Sequence, residues 1–268
     1  MGYVFTSGDI KARLLRPLLK GLMRWTLASR QSLLILQNPD DVEDFVSAKM
    51  VPKERVRLIL GSGVDTVRFC PNDRLMPLRS RLRVLLAARL LWEKGIQEFV
   101  DAAILLRAQG RDVEFLLAGM PDAGNPRSVG RAQVQKWADS GLITWLGHVD
   151  DMPKLLQSVN VMALPSYYRE GVPKSLIEGA ASGLALITTD RPGCREVVRN
   201  NGIDGLLVEP RNGAQLAELI AQLDDDRVLL QALGKKARQN SLAYFDERQV
   251  IRRTMGVYAE LLPAFEHE

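Results

Sequence analysis

The feature that most restricts the fold is an alternation that begins near Arg83. Short, mostly apolar runs lie at 84–88, 113–118, 143–146, 161–164, 185–188 and 206–208. Between them stand segments of helical period at 95–108, 131–140, 152–158, 173–182 and 195–199. In the first of these, Ile96, Phe99, Val100, Ala103 and Leu106 share one face. Further helices are expected near 213–223, 225–241 and 246–262. Apolar runs without a polar alternate are what strands buried on both faces require, and such strands belong to parallel sheets. The reading is therefore an α/β domain over roughly 80–240, a Rossmann-like parallel sheet with helices on both faces.

The stretch before it is less regular. Residues 33–37 read as a short buried strand ended by Asn38-Pro39, 41–50 as a helix and 57–60 as a second strand. A turn at Gly61-Ser62-Gly63-Val64-Asp65 follows, and Pro71-Asn72-Asp73 with Pro77 reads as a linker. Near the start, Lys11, Arg13, Arg16, Lys20, Arg24 and Arg30 are answered only by Asp9, whereas the rest of the chain is close to neutral. Arg13, Arg16, Lys20 and Arg24 fall on one face of a helix, and Leu14, Leu15, Leu18 and Leu22 on the opposite one. Pro17 is expected to kink or shorten that helix. Two readings stay open: a surface helix with a solvated basic face, or contact with an anionic membrane surface or lipid-linked phosphate. Trp25 favours the second.

Composition removes several functional classes. The only histidines are His148 and His267 and the only cysteines Cys70 and Cys194, too few for a disulfide framework, a Cys/His zinc site or a histidine-centred triad. No apolar run has the length of about 20 residues that spans a bilayer, and no signal peptide opens the chain. A cytoplasmic location fits this pattern, and the second of the two readings would add peripheral membrane contact through residues 10–27. The small excess of Lys and Arg (36) over Asp and Glu (32) gives no reason to expect a nucleic-acid partner. Gly61-Ser62-Gly63-Val64-Asp65-Thr66 starts like a dinucleotide fingerprint but lacks its third glycine. A phosphate loop of the Gly-Lys-Ser/Thr kind is absent from the sequence.

In an open parallel sheet, ligands bind beyond the carboxyl ends of the strands. After the strand at 84–88 comes Arg89-Leu90-Leu91-Trp92-Glu93-Lys94-Gly95. A guanidinium, an ammonium and the free N–H groups of a helix start would together hold an anion. The plain alternative is two solvated surface cations. After the strand at 161–164 comes a loop containing Glu170-Gly171-Val172-Pro173-Lys174-Ser175-Leu176-Ile177-Glu178. Gly171 permits close backbone approach and Pro173 suits a first helical turn. Glu178 sits among apolar neighbours, where its carboxylate needs hydrogen-bond donors of the kind ribose hydroxyls supply. The alternative is an acid at a helix start and an ordinary surface acid. His148, Asp190 and Gly193 follow other strands at the same edge and are candidates to line the cleft; a surface-loop histidine is the alternative for His148. Cys194 reads as a small buried residue rather than a nucleophile.

These residues, taken in order, resemble the retaining glycosyltransferases of family 4, of the GT-B type. The resemblance covers about 57–263. Its strongest part is the Glu170-to-Glu178 spacing with Gly171, Pro173 and Ser175. It is supported by Arg89 with Lys94-Gly95, Leu146-Gly147, Ser182-Gly183, Pro192-Gly193-Cys194-Arg195-Glu196 and the stretch from Asn201 to Val208. The resemblance implies that Arg89 and Lys94 hold the diphosphate of a nucleotide-sugar donor, commonly a UDP sugar, that Glu178 takes its ribose hydroxyls and that Glu170 contacts the transferred sugar as the catalytic group. Gly171, Val172, Pro173, Ser175, Leu176 and His148 complete the implied donor site, with no metal and no cofactor. It further implies a lipid-diphosphate-linked saccharide acceptor and a place in bacterial surface polysaccharide synthesis. Against the family's pattern, the expected organisation is the tail of an N-terminal, acceptor-side Rossmann-like domain at 1–65 and a linker at 66–80. The C-terminal nucleotide-sugar domain then covers 81–245, and 246–268 forms a helix crossing back. Most of the N-terminal domain has no counterpart in the sequence, so the alternative to an enzyme is a truncated or split donor-binding module.

Overall fold

A computed structural model describes residues 10–27, 29, 32–71 and 81–262. Residues 1–9, Arg30 and the 72–80 part of the expected linker lie outside the described residues.

The larger unit is a six-stranded sheet. In chain order its elements are β3 (Leu82–Ala87), α3 (Ile96–Ala108), β4 (Val113–Ala118), α4 (Arg131–Asp139), β5 (Thr144–Gly147), α5 (Met152–Leu156), β6 (Val161–Leu164), α6 (Lys174–Ala181), β7 (Ala185–Thr189) and β8 (Leu206–Val208). Helices α7 (Gly213–Asp225) and α8 (Arg227–Asn240) follow. The strand order is β5-β4-β3-β6-β7-β8, parallel throughout. The expected continuous apolar strands are explained by burial on two faces. Val84 and Leu86 pack on Phe99, Val100, Leu216 and Ile220. Leu85 and Ala87, one residue out of phase, pack on Leu176, Ile177, Ala180 and Phe245. Each fully buried leucine contributes roughly 1.5–3 kcal/mol, so a charge at Leu85 or Leu86, both wholly buried, would break the sheet between its two layers.

The order reverses between β3 and β6. The chain runs outward from β3 to β4 and β5, then returns to lay β6 on the other side of β3. The loops leaving these two strands therefore diverge and open a crevice between them. Gly95 closes its floor: it adopts φ 79°, and a Cβ there would stand 2.4 Å from the Pro165 carbonyl oxygen.

The smaller unit holds α1 (Ile10–Thr26), β1 (Leu34–Leu36), α2 (Pro39–Ser47) and β2 (Val56–Leu58), with β1 and β2 paired in parallel. Asn38 does not only end the strand. Its side chain caps α2 by accepting the Asp41 N–H at 2.7 Å, and Pro39 occupies the first turn, so the helix starts two residues earlier than its periodicity suggests. Phe45, Met50 and Val51 form its core with Met23, Leu27 and Leu34. The last helix, α9 (Glu247–Leu261), lies against this unit: Val250 and Val257 bury with Ile59, Leu33 and Ile35. Among the described residues no helix is long and apolar enough to cross a membrane.

Two features of the first helix add to the expectations, and one expected helix is corrected. Helix α1 runs unbroken through Pro17; the proline removes a single N–H bond on an exposed helix, a loss that does not divide it. Leu14, Leu18, Leu22 and Trp25 are 73%, 70%, 53% and 76% exposed, so the apolar face of α1 is turned outward and the helix docks through Met23 and Leu27. The basic face is described at Lys20 and Arg24, and Arg24 donates to the Ala48 carbonyl. Finally, 195–199 is a series of turns rather than a helix: Val197 and Val198 are both buried, and only isolated three- and four-residue bonds to Arg191 and Cys194 form.

Candidate active site

Two cavities open at the carboxyl edge of the sheet, and Arg89 lines both. The first, of about 500 Å³, is walled by Leu91, Glu93, Lys94, Asn125, Arg127, Tyr168 and Glu170. The second, of about 430 Å³, is walled by Gly119, Met120, Asp122, His148, Val149, Ser175 and Glu178, among others. Arg89, Lys94, Glu170, Ser175, Glu178 and His148 are thus brought to one crevice, as their positions after the strands imply.

In the first cavity Lys94 Nζ donates to Glu170 Oε1 at 2.5 Å, and both side chains are nearly buried. Ser166 Oγ lies 3.0 Å from the same oxygen and 3.0 Å from the Glu93 carbonyl. Tyr167 N–H also donates to that carbonyl, so the loops after β3 and β6 are tied together beneath the pair. Glu93 faces Arg127 at 3.6 Å and Asp122 faces Arg89 at 3.0 Å. Backbone bonds from Val129 to Leu90 and from Trp92 to Arg127 zip the loop after β4 onto the loop carrying Arg89. The three cations of this wall therefore each have a carboxylate beside them.

The second cavity differs. No hydrogen bond to the Glu178 carboxylate forms among the described residues, and burial pushes its pKa up, against smaller opposing pulls from Lys174 and Arg68. The amino end of α6 has no side-chain cap, and Ser175 of its first turn lines the same cavity. Free N–H groups at a helix start favour an anion. His148 is 78% exposed at the rim, 3.3 Å from Asp150.

The remaining candidates serve the frame. Val172, Pro173 and Leu176 are buried, and Leu176 packs in the core between β6 and α6. Gly171 lines neither cavity; its carbonyl oxygen receives the close approach of Gly193, where a Cβ would stand only 2.0 Å away. Gly193 is therefore buried against the Glu170 loop rather than open to the cleft, and Asp190 pairs with Arg195. The expected helix start beside Lys94 is also displaced. A 3-10 turn, Trp92–Lys94, intervenes, and Gly95 and Ile96 are buried, so cations rather than N–H groups line that wall. Cys194 is wholly buried with its thiol pushed up to about 12 by desolvation, which makes it inert. The Gly61-Ser62-Gly63 turn binds protein: Val64 and Phe245–Glu247 exchange backbone bonds there, and a Cβ on Gly63 would meet Glu247. No group of three or more His, Cys, Asp and Glu side chains placed to hold a metal ion occurs among the described residues.

Ser166, Asp122 and Arg127 were not singled out from the sequence. Asp122 and Arg127 follow β4 at the same edge, so the strand-end rule would have reached them. Ser166 has no signal beyond its place one residue after Pro165.

The family described as glycosyl transferases group 1 matches residues 81–226. Over 272 residues the chain is 27% identical to the N,N'-diacetylbacillosaminyl-diphospho-undecaprenol alpha-1,3-N-acetylgalactosaminyltransferase of Campylobacter jejuni, covering 98% of this chain and 69% of that one. It is 25% identical to the capsular polysaccharide biosynthesis glycosyltransferase CapM of Staphylococcus aureus, covering 65% of this chain and 45% of the relative. The fold is that of Anabaena HepE, solved in complex with UDP, with a TM-score of 0.76 at 20% identity, covering 90% of this chain and 68% of that one. The chain spans about half to two thirds of the length of the curated relatives it matches, with shares of 69%, 62% and 47%.

Proposed function

Because this chain belongs to the group 1 glycosyl transferases, we propose that it binds a UDP sugar in the crevice around Arg89 and transfers the sugar, with retention, to a lipid-linked or saccharide acceptor in bacterial surface polysaccharide synthesis. The observation that carries this reading is the position of Arg89 on the wall common to two cavities, with Lys94 and Glu170 in one and Glu178 in the other. A nucleotide sugar has the same plan: a diphosphate in the middle, a nucleoside at one end and a sugar at the other. Arg89 offers a fork to the diphosphate, Lys94 a point charge and α6 its uncapped N–H groups. Glu178 accepts the ribose hydroxyls and regains the hydrogen bonds its burial denies it. His148 and Val149 border the base, and Glu170 meets the sugar.

Transfer breaks the bond between the anomeric carbon and the diphosphate oxygen, which takes the electron pair, while the acceptor hydroxyl oxygen bonds to that carbon and gives its proton to the leaving phosphate. Negative charge grows on that oxygen, and the cations that line the crevice stabilise it. In this reading no metal or cofactor takes part. The Campylobacter relative's name includes a lipid diphosphate, which supports an acceptor of that class here. The outward leucines and Trp25 of α1 suit peripheral contact with a bilayer surface.

A second reading is donor binding by this chain without transfer, since the chain spans only 69%, 62% and 47% of the length of the curated relatives it matches. Titration calorimetry of the purified chain with UDP tests the shared part: binding is expected, weakened about tenfold in Arg89→Ala, and no heat with any nucleoside diphosphate removes the donor site. Transfer of radiolabelled sugar to a lipid-diphosphate-linked saccharide then separates the two readings.

A further inference from the structure

The loop that carries Glu170 is gripped from outside the sheet unit. Arg169 spreads its guanidinium across α2, with Nη2 3.1 Å from Asp41 Oδ1 and Nη1 2.6 Å from Asp44 Oδ2. The two acids are three residues apart and share a helix face, a spacing that suits the planar fork of arginine and not a lysine. Asn38 Nδ2 donates to the Glu170 carbonyl at 3.3 Å and to Asp41 Oδ2 at 3.1 Å. Asn38 is fully buried and Asp41 nearly so. On the opposite side Glu170 N–H donates to the Pro192 carbonyl at 3.1 Å. The backbone of Glu170 is thus clamped between α2 and the 191–193 turn, while its carboxylate is held by Lys94 and Ser166.

We propose that Arg169 is a positioning residue for Glu170, and that through Asp41 and Asp44 the acceptor-side segment sets the aim of the group that meets the transferred sugar. This rests on the donor reading above. When a diphosphate enters, Lys94 turns to it and the Glu170 carboxylate loses its ion partner. Its direction is then fixed by the backbone clamp, and a carboxylate displaced by even about 1 Å loses much of its effect on a sugar hydroxyl. The nucleoside end lies beyond Arg89, in the other cavity, and does not depend on the clamp.

The test is calorimetry of the purified chain with UDP and with UDP-glucose, UDP-galactose and their N-acetylamino counterparts. Wild type is expected to bind at least one UDP sugar more tightly than UDP. Arg169→Ala should lower that sugar affinity about tenfold while UDP affinity stays within about twofold, and Arg169→Lys should recover only part of the loss. Adding Glu170→Gln to Arg169→Ala should cause no further loss, because both act on one contact. Equal loss of UDP and UDP-sugar affinity, additive losses in the double variant, or a wild type indifferent to the sugar each overturn the proposal. Absence of UDP binding would instead remove the donor reading. Should Arg169→Ala fail to fold, Asp44→Asn leaves the Asp41 contact in place and asks the same question with a smaller expected shift.

Discussion

The two cavities that meet at Arg89 solve opposite problems. In the one holding Lys94 and Glu170, each cation faces a carboxylate; in the proposed donor reading these pairs exchange partners when a diphosphate arrives. In the other, Glu178 is half-buried with no hydrogen bond to its carboxylate among the described residues, and burial raises its pKa; the proposed donor reading gives it ribose hydroxyls as partners. In that reading, cations kept near the site by exchangeable partners suit the end where charge develops during transfer. Deferred satisfaction suits the end that must recognise a hydroxylated ring, because a ligand lacking those hydroxyls leaves the carboxylate stranded.

Breaking the first arrangement should have the largest effect. Lys94→Ala strips Glu170 of its partner in a nearly buried site, where removing one member of a pair costs about 3 kcal/mol or more. A fall in melting temperature of several degrees is expected by calorimetric scan, together with a loss of UDP affinity of about 100-fold. An unchanged melting temperature would mean that the Lys94–Glu170 pair is not formed in solution.

Glu178→Gln sharpens the contrast. UDP affinity should fall about tenfold, yet the empty protein should become more stable. The carboxyl pKa is raised in the folded state, so its stabilising contribution is present below the ordinary glutamate range and is lost as pH rises through the folded value. Melting curves of the two proteins should therefore diverge across that interval, with the variant higher, and run parallel above it. A gap independent of pH would argue against a desolvated Glu178. The smallest effect belongs to His148→Ala: with its side chain 78% exposed and its Asp150 contact at the surface, a loss in UDP affinity of about twofold and no measurable change in melting temperature are expected.

The sheet was legible because a strand buried on both faces must be apolar at every position, and 84–88 and 161–164 satisfy that without help from the rest of the chain. Arg89, Lys94, Glu170 and Glu178 were legible for a related reason: parallel topology fixes where loops emerge, so loop residues inherit a location. What the sequence could not convey is pairing across distance. Lys94 and Glu170 lie 76 positions apart, and Arg169 and Asp41 128 apart. Nothing local marks such acids as partners rather than solvated surface charges. Five residues at 195–199 were too few to tell a helix from successive turns, and the outward face of α1 has the same periodicity an inward face would have. The early start of α2 at Pro39 turned on one side-chain bond from Asn38.

The burial of Leu33, Ile35 and Ile59 against Val250 and Val257 also dictates an order of assembly. These early residues leave the ribosome roughly 200 positions before the helix that covers them. At about 5–20 residues per second, that is a wait of about 10–40 seconds. The sheet unit between them can condense during synthesis, whereas Leu33, Ile35 and Ile59 wait for Val250 and Val257 to cover them. Residues that touch in the fold are thus made far apart in time.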